Sequence, residues 1–275
     1  MHQEFESPQE LRDTIKCFWY DRIEFGEQES AFEVVPDSYA EIIFHFGNTC
    51  SISYNGDLQA LPSPFMIGLL NQPVHFFSKN NLQIIGIRCF PWTVFDLLGL
   101  ESGKGGVQEF EHPLAQLQPK LDKLIQSGNI EEAIAEVKQY FLNTHSQIPN
   151  NSTLLKAGSA MRETNGSMPV SEVADAAHAT IRTLERKFKQ SSGYTVKDVS
   201  ALIRFEQVRN ELLLNPNANL ASLAHDLGYT DQSHLSREFK RYSGTTPSAF
   251  ARNSKKQIIS DNFIAFVQRN NDSES

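Results

Sequence analysis

Two stretches in the second half of this chain place charged and amide side chains at matching positions. The first holds Arg182, Glu185, Arg186 and Lys189; the second holds Gln232, Ser233, His234, Ser236, Arg237 and Lys240. These groups suit recognition by hydrogen bonding better than bond making. An arginine fork matches guanine O6 and N7, glutamine matches adenine, and glutamate accepts from cytosine N4. Lys240, nearer the end of its segment, suits a phosphate oxygen. Arg186 and Arg237 fall at equivalent places of an internal repeat, which sets them apart from lone solvated arginines.

The repeat supplies the elements that must position these groups. Val170, Val173, Ala174 and Ala177 coincide with Leu220, Leu223, Ala224 and Leu227 at an offset of 50. The register then continues at 51: Leu184 with Leu235, Arg186 with Arg237, Phe188 with Phe239, Gly193 with Gly244 and Thr195 with Thr246. Each copy reads as a short helix, a tight turn, a longer helix and a glycine stop, the helix-turn-helix plan. Small Ala174 and Ala224 allow close helix crossing, and Gly228 suits a left-handed turn. Thr180, and Thr230 or Asp231, are expected to cap the longer helices. At 100° per residue, Ile181, Leu184 and Phe188 form an apolar side, and Arg182, Glu185, Arg186 and Lys189 face away from it. Leu235 and Phe239 do the same work in the second copy, turning Ser233, Ser236, Arg237 and Lys240 outward.

The tract from about residue 153 to 252 resembles the AraC/XylS family of bacterial transcription regulators. Leu184-Glu185-Arg186-Lys187-Phe188-Lys189 followed by Gly193-Tyr194-Thr195 resembles the first recognition helix and its exit. Ala224-His225-Asp226-Leu227-Gly228-Tyr229 through Phe239-Lys240, then Gly244-Thr245-Thr246-Pro247, resembles the family signature. The resemblance implies base contacts at Arg182, Glu185, Arg186 and Lys189 and at Gln232, Ser233, His234, Ser236 and Arg237. It also implies double-stranded promoter DNA and RNA polymerase as partners. One departure is His178, which stands where the family usually has glycine in the first turn.

The first half reads differently. Ala40-Glu41-Ile42-Ile43-Phe44-His45-Phe46 and Leu82-Gln83-Ile84-Ile85-Gly86-Ile87-Arg88-Cys89-Phe90 are strand-like, bounded by turn residues. Asn55-Gly56 marks a hairpin. A small antiparallel barrel or sandwich, cupin-like in outline, is expected. Helical spacing begins after Pro113, with Pro119 offsetting the first segment. Ile130, Ile134, Val137, Tyr140 and Phe141 mark an amphipathic helix. His45, His75 and Arg88 lie on strand-like segments where they are expected to face a small-molecule effector. A neutral or weakly charged apolar effector is the first choice, with Arg88 available to an anion.

The fold class is therefore α+β with two domains: a β-rich sensor or dimerisation domain at 1–145 with trailing helices, and an all-α double helix-turn-helix domain at 153–252. The motifs fall at about 170–190 and 220–242. A linker is expected at 146–152 and a tail at 253–275, whose Ile258, Ile259, Phe263, Ile264, Phe266 and Val267 suit docking on a neighbouring domain. Charge follows this division: the net is −10 over 1–169, +4 over 170–256 and −2 beyond. A basic segment in an acidic chain is the footprint phosphate binding needs.

Other classes lose support. The segment 99–106 has Leu98 where the first P-loop glycine belongs and Gly105 where Ser or Thr would hold Mg²⁺. No Gly-x-Ser-x-Gly, His-Glu-x-x-His or Cys-x-x-Cys occurs, so no enzyme, cofactor or metal is expected. Cys17, Cys50 and Cys89 fit reduced thiols of a cytoplasmic protein. No apolar run approaches a membrane span. Two rivals remain: a first domain that only forms a homodimer, and a DNA-repair or DNA-modifying enzyme carrying an AraC-type reader, which would need a reactive cysteine.

Overall fold

The computed structural model describes residues 2–54, 57–98, 106–145, 152–254 and 268–269. Its first half is a two-sheet sandwich. Strands β1 (His2–Glu6), β2 (Ile15–Glu24), β3 (Ser30–Val34), β4 (Ala40–Gly47), β5 (Ser51–Tyr54), β6 (Asp57–Ala60), β7 (Phe65–Ile67), β8 (Val74–Ser78) and β9 (Asn81–Cys89) precede the short helix α1 (Val94–Leu98) and β10 (Val107–Glu109). A last strand, β11 (Gln268–Arg269), pairs antiparallel with β3. The six-stranded sheet runs β1-β2-β9-β4-β7-β10 and the five-stranded one β11-β3-β8-β5-β6.

The central strands of the larger sheet are covered on both faces, which is why their sequences are apolar without alternation. Phe18, Ile42, Phe44, Ile85 and Ile87 point one way, onto Leu121, Ile125, Ile134, Val137 and Phe141. Those residues belong to α2 (Gln118–Gln126) and α3 (Ile130–His145). Pro119 sits in the first turn of α2, where its missing N–H costs no hydrogen bond. Cys17, Trp19, Ile43 and Ile84 point the other way, against Phe32 and Phe76 of the second sheet. Trp19 lies flat over its cross-strand partner Gly86, where a Cβ would come within 2.0 Å of the indole. The barrel-or-sandwich alternative thus resolves to two packed sheets with helices on the outer face of one. Tyr54 pairs with Asp57 across the expected hairpin; Asn55 and Gly56 themselves lie outside the described residues.

The second half is all helical: α4 (Ser152–Glu163), α5 (Val170–Ala176), α6 (Ile181–Ser192), α7 (Val196–Leu214), α8 (Leu220–Asp226), α9 (Gln232–Ser243) and α10 (Pro247–Ser254). Leu184, Phe188, Phe205, Leu235 and Phe239 share one core. From the first half, buried Val35, Leu69 and Trp92 join that core, with Phe90 packed against it. The Trp92 indole occupies the space where a Cβ on Gly158 of α4 would lie, only 2.3 Å away, and its ring is 6.2 Å from that of Phe188. The linker at 146–151, the P-loop-like segment at 99–105, and the tail's Ile258, Ile259, Phe263, Ile264, Phe266 and Val267 lie outside the described residues.

Candidate nucleic-acid interface

The two repeats fold by the same local rules. Thr180 caps α6, its hydroxyl accepting the Thr183 N–H at 3.2 Å, and the Asp231 carboxylate caps α9 by accepting the His234 N–H at 2.7 Å. Gly193 and Gly244 end these helices in the left-handed region, with φ of 76° and 72°. The inner turns differ. Gly228 takes φ 72° without strain, whereas His178 holds φ 50° at the equivalent place. The structure therefore keeps the turn geometry and strains the residue.

Between the motifs runs α7, opened by a capping box in which Thr195 and Asp198 satisfy each other's backbone. Its 19 residues span about 28 Å at 1.5 Å per residue. A second tie comes from α6: the Glu185 carboxylate accepts the Val196 N–H at 3.3 Å. Glu185, expected on the base-reading face, is thus half-buried and engaged with the connector.

The other residues of that face are open. Arg182, Arg186 and Lys189 are exposed on α6; Gln232, Ser233, Arg237 and Lys240 are exposed on α9. His234 and Ser236 are half-buried, and the His234 ring stands edge-on to Tyr229 at 5.3 Å. Leu184, Phe188, Leu235 and Phe239 are buried as the helical phase requires, but Ile181 is 49% exposed because it overhangs the first turn, beyond the core. Behind α9, Arg204 pairs with Glu238 at 3.6 Å and lies 5.2 Å over the Tyr229 ring. Sequence reading did not single out this brace, since its members come from α7, the turn and α9.

The three residues expected around an effector part company. His45 lines a cavity of about 50 Å³ between the sheets, shared with Phe65, Phe76, Ile43 and Glu41. Burial lowers its pKa below the ordinary histidine value, so it is neutral there. His75 is exposed outside that cavity and pairs with Glu33 at 3.1 Å, on the rim of a cleft that also touches Arg241 of α9. Arg88 needs correcting more fully. It is 3% exposed and held by Asp37 and by Glu41, the latter at 2.6 Å, so its charge is already matched and serves the fold. Glu41 also accepts Trp19 Nε1–H at 3.0 Å, and burial raises its pKa to about 7.

All three cysteines are buried and free. Desolvation raises the Cys17 and Cys89 thiols well above their ordinary value and pushes Cys50 up to about 12. Such thiols stay protonated and are poor nucleophiles. No helix among the described residues is long and apolar enough to cross a membrane.

Comparison with known proteins agrees with this geometry. Residues 173–253 match a family model described as "Helix-turn-helix domain", and residues 3–104 match one described as "Domain of unknown function (DUF6597)". The Msm operon regulatory protein of Streptococcus mutans is 23% identical over 136 residues, 48% of this chain and 49% of that protein. An AraC-like transcription regulator of Streptomyces lividans is 34% identical over 91 residues, 33% of this chain and 30% of that one. The chain thus spans half or less of the length of these curated relatives. ToxT of Vibrio cholerae superposes with a TM-score of 0.47 at 11% identity, over 85% of this chain and 94% of that one, a likeness that adds nothing to the functional argument. With two capped motifs of one plan joined by a single helix, residues 173–253 form a helix-turn-helix domain similar to that of AraC-like transcription regulators.

Proposed function

We propose that the protein is a sequence-specific transcription regulator that reads promoter DNA with α6 and α9. The observation that carries this reading is the pairing of Arg186 with Arg237, both exposed at the same turn of two equivalently capped helices. Arg182, Arg186 and Lys189 face one major-groove segment; Gln232, Ser233, Arg237 and Lys240 face the next, with His234 and Ser236 at the margin. Glu185 acts through the connector it caps. The functional units of this reading are 1–145, 153–252 and a tail at 253–275.

The first unit serves as sensor, and the cavity beside His45 is the place for a neutral apolar effector. Homodimerisation and contact with RNA polymerase complete the regulator's partners, and the free thiols suit the cytoplasm. Protonated buried cysteines weigh against the repair-enzyme alternative, which needs a reactive one. Selection from random duplex DNA with the full chain, followed by mapping of occupied genomic sites, tests the reading. A bipartite enriched sequence upstream of genes is expected; no enrichment above non-specific binding overturns it.

A further inference from the structure

Phe188 and Phe239 hold the same place in the two repeats, yet different parts of the chain pack them. Phe239 of α9 lies 5.2 Å from Phe205 of α7 and 5.3 Å from Phe250 of α10, all rings of the helical domain. Glu238, beside it, pairs with Arg204, which also donates to Gly166 O at 2.6 Å. Phe188 of α6 makes its ring contact with Trp92 of the first domain instead, at 6.2 Å. The short helix α1, which follows Trp92, lies beside α6 as well. Toward α9 the described residues of the first domain stand off. A cleft of about 490 Å³ there is lined by Glu33 and His75 of one domain and by Arg241 and Ser243 of the other. Pro73 comes near Gly244, past the end of the helix, rather than onto a base-facing turn.

We propose that Trp92 is a positioning residue for DNA reading: the first domain completes the support of α6, whereas α9 is braced from within the helical domain. The proposal rests on the reading of α6 and α9 as the two DNA readers. Trp92 suits this role because its own support is stiff. Phe90 N–H donates to Thr14 O at 3.0 Å and Thr93 N–H donates to Phe90 O at 3.0 Å, so the turn bearing the indole is fixed to the sheet. The Phe90 ring stacks on the indole at 5.3 Å. Arg162 of α4 enters the same cluster. Its guanidinium lies 4.4 Å from the ring centre of Tyr39, 4.7 Å from that of Phe90 and 5.3 Å from that of Trp92. It also donates to the Tyr39 hydroxyl at 2.9 Å. A cation set against three rings is held by the attraction of their faces. Gly158, one turn before Arg162 on α4, leaves the room that the indole fills. With α4 held in this way, the indole reaches Phe188, which is flanked along α6 by Arg186 and Lys189. Removing the indole leaves a void that α6 closes in part by shifting. A binding constellation tolerates displacement of only about 0.5 Å. The α6 half-site, and not the α9 half-site, therefore depends on how the first domain is docked.

Hydrogen exchange of the full-length chain tests this without DNA. Trp92→Ala should speed exchange of the α6 amides by roughly tenfold or more and leave the α9 amides within about twofold of wild type. Gly158→Ala puts a methyl group where the indole lies and should act alike, although alanine by itself favours the helix. It carries the test if Trp92→Ala fails to fold. The second readout uses the duplex that the wild-type chain enriches from random DNA. Scrambling the bases under α6 should weaken wild-type binding by roughly tenfold or more, the weight of one bidentate contact. In either variant that penalty should fall to about twofold or less, while scrambling the bases under α9 should cost variant and wild type alike. Lost stability alone would weaken binding to every duplex together and leave both penalties intact. Exchange that is unchanged in α6, or that rises equally in α6 and α9, overturns the proposal, as does an α6 penalty retained in both variants. If the wild-type chain enriches no sequence, the regulator reading fails, and the exchange result still decides the support of α6.

Discussion

The carboxylate of Glu185 accepts the backbone N–H of Val196 at 3.3 Å, tying the first recognition helix to the start of the connector. The orientation of α6 and the first turn of α7 are thereby linked, and Glu185 cannot be judged as a base reader alone. Glu185→Ala should cost about 1 kcal/mol of stability, the usual worth of a lost helix-start acceptor. It should weaken all DNA sequences alike while leaving the preferred bases unchanged. Urea unfolding and a repeated DNA selection check this, and a changed preference at one base pair would show that Glu185 reads DNA directly.

Arg186→Ala and Arg237→Ala should each cost about 1–3 kcal/mol at the specific site and relax preference at one position in each half-site. Lys240→Ala should instead weaken specific and non-specific DNA equally and reduce the slope of log affinity against log salt by about one. Fluorescence anisotropy over a salt series separates the two kinds of contact.

The length of α7 makes a spacing prediction. Two contact clusters about 10–10.5 base pairs apart on one face of the duplex are expected in footprints. Inserting about five base pairs between them turns one cluster to the opposite face and should abolish joint contact. Undiminished affinity after that insertion means that one motif reads DNA alone.

His178 holds a left-handed backbone at φ 50° on an exposed turn, where its repeat partner is Gly228. His178→Gly should stabilise the domain by up to about 1 kcal/mol, the relief of the Cβ penalty less the entropy glycine adds to the unfolded chain. Gly228→Ala should destabilise it, because a Cβ there meets Ser167 at 3.0 Å in a backbone region alanine disfavours. Chemical denaturation of both variants checks the opposite signs.

Burial of Glu41 beside Asp37 makes stability depend on pH. Its carboxyl titrates at about 7 when folded and near the ordinary glutamate value of 4.5 when unfolded, so between these values the folded state holds the extra proton. The stabilising contribution of the protonated group is complete below pH 4.5 and fades as pH rises through 7. Glu41→Gln removes this dependence. The wild-type stability minus that of the variant should therefore fall between pH 5 and 8, as read by urea unfolding. A flat difference contradicts the placement of Glu41 as a desolvated acid.

Much of the DNA-binding half was legible in the sequence because its signals are local. The caps at Thr180 and Asp231, the stops at Gly193 and Gly244, and the burial of Leu184, Phe188, Leu235 and Phe239 follow from contacts within one or two helical turns. The internal repeat doubled each signal. Strand positions in the first half were legible too, but not the division into two sheets, because strands apolar on both faces carry no alternation to say which face meets which layer.

What only the tertiary structure decided concerns groups whose partners are distant in the chain. Arg88 looked available to a ligand until Asp37 and Glu41, 51 and 47 residues away, were brought against it. Ile181 belongs to the apolar side by helical phase, yet it ends in solvent because the core stops one turn short of it. Ser38 and Glu206 are separated by 168 residues and meet where the two domains touch. Spacing along a chain records helix faces and turns; it holds no record of which buried charge will be matched by which, since that depends on how two domains come to share one surface.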